Sequence, residues 1–409
     1  MKRRRVLGIL LLISTFLFPY LFSLPYRVDQ ILIPIVVLYC LLIQKVDKVF
    51  FFLLMTLFSV CFVLPLFSTI LHLSHTDFIG ISNFIKESQN LLKPFFYSFF
   101  GYFLLNHFGV QEKQFHAAFK LLIVAAFLFS FTTLLAQVST GTSRNEVNDF
   151  LVKYYHLHPF VSSTFRFPGI LMQPATAGVY FAFMSTICLM FKYSPIYLVL
   201  VILEGLLSNT KVLWFSLPFF IFNFVINMKN PKNIAKFLLL FVILLSTFYV
   251  FFGNMLGQMF DFIFGVIKTD PFAGRLENFV AENIAIILGQ YPFLGIGFSE
   301  FGPIASNYGT WDSLFYYELT FGGIFGLLIK SILLLLLFVY PFRDYNFRMK
   351  LSILVLFLNV YLAGIGTSTF YQERIGDLIF IFFGFYYALN SSKNILYRTV
   401  DSKISLEHY

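Results

Sequence analysis

Charge is scarce in this chain. Asp, Glu, Lys and Arg make up 12% of its 409 residues, about half the share of an ordinary soluble domain. The same chain is 58% hydrophobic and 21% aromatic, with 59 Phe. That much apolar side chain with so little charged surface excludes a soluble globular enzyme and a disordered chain. Cysteine is nearly missing too. Cys40, Cys61 and Cys188 all lie in apolar stretches, which excludes a disulfide framework, a C-x-x-C pair and a zinc site by spacing. The seven His never reach metal-ligand density, so a metal-independent chemistry with no cofactor is expected. The net charge of +9 is spread through an apolar chain and does not form the clustered basic face that nucleic acid requires.

What the chain has is long apolar runs, and these predict an all-α polytopic membrane protein. A hydrocarbon core of about 30 Å takes about 20 apolar residues as helix. Spans are expected near 6–24, 29–44, 49–71, 91–110, 116–138, 169–191, 195–208, 211–228, 236–253, 313–341, 351–369 and 375–390. That gives about twelve, or ten to eleven if the short seventh and the eighth form one broken segment. Lys2-Arg3-Arg4-Arg5 precedes an apolar run too long for a signal-peptide core, so the first span is expected to be uncleaved and to start in the cytoplasm. Inner segments then hold 18 of the 29 Lys and Arg, outer segments hold 10, and Lys330 lies inside a span. This bias fits two cytoplasmic termini in a plasma membrane. It also makes the outer side slightly acidic, so an anion there needs a few placed cations. Arg27, Lys93 and Arg374 count among the outer loop charges in this map.

The long loops are outer ones, at 72–90, 139–168 and 254–312, and long loops on a rigid scaffold usually carry function. In the largest, Leu276, Phe279, Val280, Ile284 and Ile287 recur at helical spacing. This predicts an amphipathic helix lying on the membrane face or over a cavity, started at Asp270-Pro271 and ended at Gly289. Tyr291-Pro-Phe-Leu-Gly295-Ile-Gly297 follows, where Gly-x-Gly allows a tight backbone path beside a ligand or another helix. Asp312 is expected to cap the tenth span, and Gly322, Gly323 and Gly326 allow close packing along it.

Four features in this order resemble the O-antigen polymerase and ligase superfamily of bacterial inner-membrane proteins. They are Arg166-Phe-Pro-Gly169 with Gln173-Pro-Ala-Thr-Ala177; Leu207-Ser-Asn-Thr-Lys211 between two spans; Arg275 before Tyr-Pro-Phe-Leu-Gly-Ile-Gly; and Asp312-Ser-Leu with Gly323 and Gly326. The resemblance covers roughly residues 160–340. Trp311-Asp312 stands where ligases usually show a His-Asn pair, which favours a polymerase.

The resemblance implies an enzyme that joins oligosaccharide repeat units carried on polyprenyl pyrophosphate at the outer face of the membrane, for O-antigen, capsule or exopolysaccharide. It also implies a lipid-linked oligosaccharide and membrane lipid as partners, with a chain-length regulator as a possible protein partner. The pyrophosphate needs cations, and Arg275, Arg166 and Lys211 are the candidates. The acceptor hydroxyl needs a base. Asp312, Glu318 and Glu282 lead that set, with Glu277, His156 and His158 behind them. Glu318 lies about 1.5 turns inside a span, where a carboxylate must have a partner; Glu204 and Lys211 are placed to pair with each other. The alternatives are a flippase for the lipid-linked unit, which would be expected to show internal repeats, and a ligase-type transferase.

Overall fold

The computed structural model describes residues 2–20, 27–72, 76–140, 146–155, 167–171, 173–208, 210–228, 231–232, 234–243, 246, 249–250, 281–300, 313–364, 369–371 and 374–406. They are overwhelmingly helical. The helices are α1 (Lys2–Leu17), α2 (Val28–Ile43), α3 (Lys48–Phe58), α4 (Leu64–His72), α5 (Ile81–Asn106), α6 (Glu112–Thr140), α7 (Glu146–Tyr155), α8 (Pro174–Met190), α9 (Pro195–Ser208), α10 (Lys211–Asn227), α11 (Ile234–Ile243), α12 (Ala281–Gln290), α13 (Leu314–Val339), α14 (Phe347–Ala363) and α15 (Ile375–Leu406). A π-helical turn, Ser59–Val63, joins α3 to α4.

Among the described residues, four segments are long and apolar enough to cross a membrane: Lys48–His72, Glu112–Thr140, Leu314–Phe342 and Ile375–Ser392. Five others, Val28–Ile43, Ala175–Met190, Pro195–Ser208, Val212–Asn227 and Ile234–Ile243, are apolar but shorter. Exposed Leu121, Leu128 and Leu135 on α6 follow one another at seven-residue steps, the pattern of a helix face turned to lipid.

Two expected boundaries are corrected, the start of α5 and the end of α12. Helix α5 starts at Ile81 inside the supposed 72–90 loop, because Glu87 of its first turns is buried against protein. The 139–168 loop contains α7. Helix α12 does not stop at Gly289; it runs to Gln290, and the Tyr291 N–H still donates to the Ile287 carbonyl. Residues 254–280, including Asp270 and Pro271, lie outside the described residues.

At the centre α5 and α15 pack along most of their length. A Cβ at Gly101 would sit 2.1 Å from the Ile381 carbonyl oxygen, and one at Gly384 would sit 2.0 Å from that of Ser98. Two glycines on facing helices thus let the backbones touch, the small-residue packing common between membrane helices. Phenylalanines fill the space around them, as in the stacked pairs Phe115–Phe385 and Phe338–Phe383, each with centroids 3.9 Å apart. Asp47 caps α3 through the Val49 and Phe50 N–H groups, each 3.0 Å away, and also accepts from the Tyr387 hydroxyl at 3.2 Å.

Candidate functional site

The opposite end of the bundle is where α1 ends and α2 and α15 begin, and it holds a set of buried charges. Four cations (Arg27, Lys93, Lys330, Arg374) and four carboxylates (Asp29, Glu87, Glu318, Asp377) are all buried there. Isolated ions at such depth are costly, so each must be paired.

Half of the set ties the two ends of the chain together. Arg27 grips Asp29 with two hydrogen bonds, Nε to Oδ1 at 3.1 Å and Nη2 to Oδ2 at 3.0 Å. The same Nη2 donates to Asp377, 350 residues away in sequence. Tyr97 of α5 donates to Asp29 at 3.1 Å. Asp377 accepts the Arg374 backbone N–H at 3.2 Å, which holds the turn into α15. The Arg374 side chain donates to the Phe16 carbonyl at the end of α1 and lies 5.0 Å from the centre of the Tyr155 ring of α7. Arg374 has φ 67°, a left-handed conformation that costs a side-chain-bearing residue about 1 kcal/mol or more. It persists because contacts to α1, α7 and Asp377 over-determine it.

The other half depends on two irregular helices. Helix α13 breaks at Gly323, whose φ of 60° and ψ of −162° are not helical. Glu318 lies before the break and Lys330 after it. Twelve residues of straight helix rise about 18 Å, yet the Lys330 ammonium is 2.8 and 2.9 Å from the two Glu318 oxygens. The break makes this pair. Tyr371 donates to Glu318 and accepts from Lys330, and its ring lies 4.7 Å from the ammonium. The Tyr371 carbonyl accepts Lys93 Nζ at 3.0 Å, and Tyr317, with its ring centre 4.4 Å from that of Tyr371, donates to Glu87 at 2.8 Å. The π-helical turn packs on α13 and places Cys61 near Lys330. Such turns inside α-helices are frequent at functional sites.

The Gly-x-Gly segment holds the break open. It lies against helices, as one of its two expected uses requires. Gly295 and Gly297 both have positive φ, 67° and 63°. The Ile296 and Gly297 N–H groups donate to the Thr320 carbonyl at 2.8 and 3.2 Å, and Ile324 N–H donates to the Pro292 carbonyl at 2.8 Å. Ser68 donates to the Gly295 carbonyl at 2.6 Å, and Thr69 accepts the Phe298 N–H at 2.7 Å. The strand Ser299–Glu300 (β2) then pairs antiparallel with Asp77–Phe78 (β1). Backbone groups freed by the break are therefore bonded within the protein, as non-helical chain at membrane depth requires.

Of the site residues expected from sequence, Glu318 falls within this set. Glu282 lies on α12, and Lys211 is the first residue of α10, after the N-cap Thr210; their side chains lie outside the described residues. Arg275, Arg166 and Asp312 lie outside them entirely, as do Glu277, His156 and His158. The cap of α13 is corrected: Ser313 occupies that position, without a side-chain cap bond, and its hydroxyl donates to the Gly364 carbonyl at 3.3 Å. Glu204 is held by the Ser130 hydroxyl at 2.8 Å. Arg27, Lys93 and Arg374 are corrected as well. They are not solvated loop charges but buried members of the network, because carboxylates and carbonyls surround them.

Sequence reasoning missed Asp29, Glu87, Lys93, Asp377, Arg27 and Arg374 as site residues. The signal was present for three of them: Asp29, Lys93 and Asp377 fall inside expected spans, where an ionisable residue marks function or a partner. Among the described residues no group of three or more His, Cys, Asp or Glu side chains comes together to hold a metal ion. No protein-family model, curated protein or solved structure matches the chain.

Proposed function

We propose that the protein is a polysaccharide polymerase, a membrane-embedded glycosyltransferase that joins polyprenyl-pyrophosphate-linked repeat units at the outer face of the bacterial plasma membrane. The observation that carries this reading is Glu318, a carboxylate in a buried set of cations and tyrosines at one end of the bundle. The charge bias of the loops assigns that end to the outer side. The four sequence features of the first section supply the class.

In the reaction the acceptor hydroxyl oxygen bonds to the anomeric carbon of the donor sugar as the bond from that carbon to the pyrophosphate oxygen breaks. The leaving oxygen keeps the electron pair, and the hydroxyl proton passes to a carboxylate. Glu318 is the candidate base, and Arg275, Arg166 and Lys211 are the candidate cations for the leaving group. Asp312 and Glu282 are the other candidate bases.

The test is polymer length in cells. Arg275→Ala and Glu318→Gln are expected to leave the protein in the membrane and to reduce polymerisation by about 100-fold or more, the usual effect of losing a group that stabilises developing charge or an acid–base group. Single repeat units would then be displayed in place of long chains. Wild-type chain lengths in both variants would overturn the reading.

The break in α13 favours one other reading, a flippase, since discontinuous helices build transporter sites. The two separate by phenotype. A flippase null holds lipid-linked units on the inner leaflet, whereas a polymerase null still exports single units.

A further inference from the structure

The Glu318–Lys330 pair is too elaborately made to be only a neutralised charge. Neutralising Glu318 by an i,i+4 lysine would need no distortion. Here a 26-residue helix is broken at Gly323, and the break is propped by a glycine loop. The outcome is a carboxylate with every near donor committed to it: the ammonium against both oxygens and the Tyr371 hydroxyl against one. Held this way, Glu318 has both oxygens engaged by donors, so neither is free to receive a proton from an acceptor hydroxyl. The Lys330 ammonium is equally committed, to Glu318, Tyr371 and the Tyr371 ring. Lys is a compact point charge on a flexible stem, able to exchange one anion for another by rotating that stem.

We propose that the pair is a displaceable lock, opened by the diphosphate of the lipid-linked donor. This deepens the reading of the previous section and rests on it. The arriving diphosphate takes Lys330 as its cation. Glu318 loses the ammonium from both oxygens, and an oxygen so freed accepts the proton of the acceptor hydroxyl. No bond is made or broken in the exchange itself. Only the ion partner changes, and the base is unmasked when a donor is present.

A lock that competes with its key has a signature that a structural salt bridge lacks. Removing the carboxylate charge must tighten diphosphate binding, while removing the ammonium must weaken it. The probe is farnesyl diphosphate, titrated calorimetrically into the purified full-length chain in lipid nanodiscs, with farnesol as the uncharged control. Glu318→Gln is expected to bind farnesyl diphosphate about tenfold more tightly than wild type, and Lys330→Met about tenfold more weakly. Farnesol binding is expected to stay unchanged in both. Tyr371→Phe keeps both charges while removing the hydroxyl between them; it is expected to tighten binding about threefold and serves if Glu318→Gln fails to fold.

Equal or weaker diphosphate binding by Glu318→Gln and Tyr371→Phe would overturn the lock. Failure of the lock and failure of the polymerase reading are separable. Tighter binding by Glu318→Gln, with polymer of normal length in cells for both Glu318→Gln and Arg275→Ala, keeps the ion exchange and removes the polymerase. Unchanged binding with loss of polymer keeps the polymerase and removes the lock.

Discussion

Asp377→Ala is expected to lower the stability of the folded protein by about 3–5 kcal/mol, the cost of breaking a buried ion pair by removing one partner. Asp377 accepts from the Arg27 side chain and from the Arg374 backbone N–H. Both of those residues are fully buried, so neither can turn to water when the carboxylate is gone. Arg27 would keep Asp29 as its one ion partner among the described residues, and the strained turn at Arg374 would lose its anchor. The measurement is the thermal transition of the purified protein in detergent, followed by the fraction that remains monodisperse. Since 1.4 kcal/mol is tenfold, the folded-to-unfolded ratio should fall by roughly 100-fold or more. The triple variant Arg27→Met/Asp29→Asn/Asp377→Leu is expected to lose much less than the single one, because it leaves none of these three charges unpaired. A single variant within about 1 kcal/mol of wild type, an exposed pair's worth, would show that water reaches the network.

The same network shows which parts of the molecule are legible in a sequence. Apolar runs of the right length are one-dimensional signals, and those at 29–44, 49–71, 116–138, 195–208 and 211–228 coincide with helices to within a few residues. Glu318 was legible for the same reason: a carboxylate within an apolar run must have a partner, whatever the fold. The identity of that partner was not legible. Lys330 stands twelve residues away, and only a break that turns the helix at Gly323 joins them. The glycines were visible, but three sit close together at 322, 323 and 326, and the one with positive φ is chosen by what docks on it.

Arg27 and Arg374 were less legible still. Each is adjacent to the end of an apolar run, where a cation ordinarily marks a solvated interface. What buries them is pairing between residues 350 positions apart, and no local pattern encodes that. Lys93 lay within an expected span and could have been read there. A lysine near a helix end can extend its head to water, so its place in the run does not by itself show burial. In the fold its ammonium meets the Tyr371 carbonyl.

The interlock between Gly295 and Gly323 gives the remaining large effect. A Cβ at Gly323 would lie 2.4 Å from the Phe293 carbonyl oxygen and 2.5 Å from the Gly295 nitrogen. One at Gly295 would lie 2.4 Å from the Thr320 carbonyl oxygen. These neighbours are backbone and cannot swing aside, and both positions have positive φ. Gly323→Ala and Gly295→Ala are therefore each expected to destabilise by about 2–6 kcal/mol, strain and overpacking together. Gly326→Ala is the internal control. It lies one turn further along α13, and a Cβ there meets only Leu64 at 3.6 Å, so no loss of stability is expected.

The damage should also be local in a telling way. If the 291–300 segment can no longer seat in the break, α13 is free to straighten, and Glu318 and Lys330 then separate. Suppression of a Gly323→Ala defect by Glu318→Gln/Lys330→Met would report that separation, because the variant would no longer strand two buried charges. Thermal stability of the single, double and triple variants measures it. Additive losses, with no suppression, would mean that the pair survives without the break and that the glycines serve packing alone.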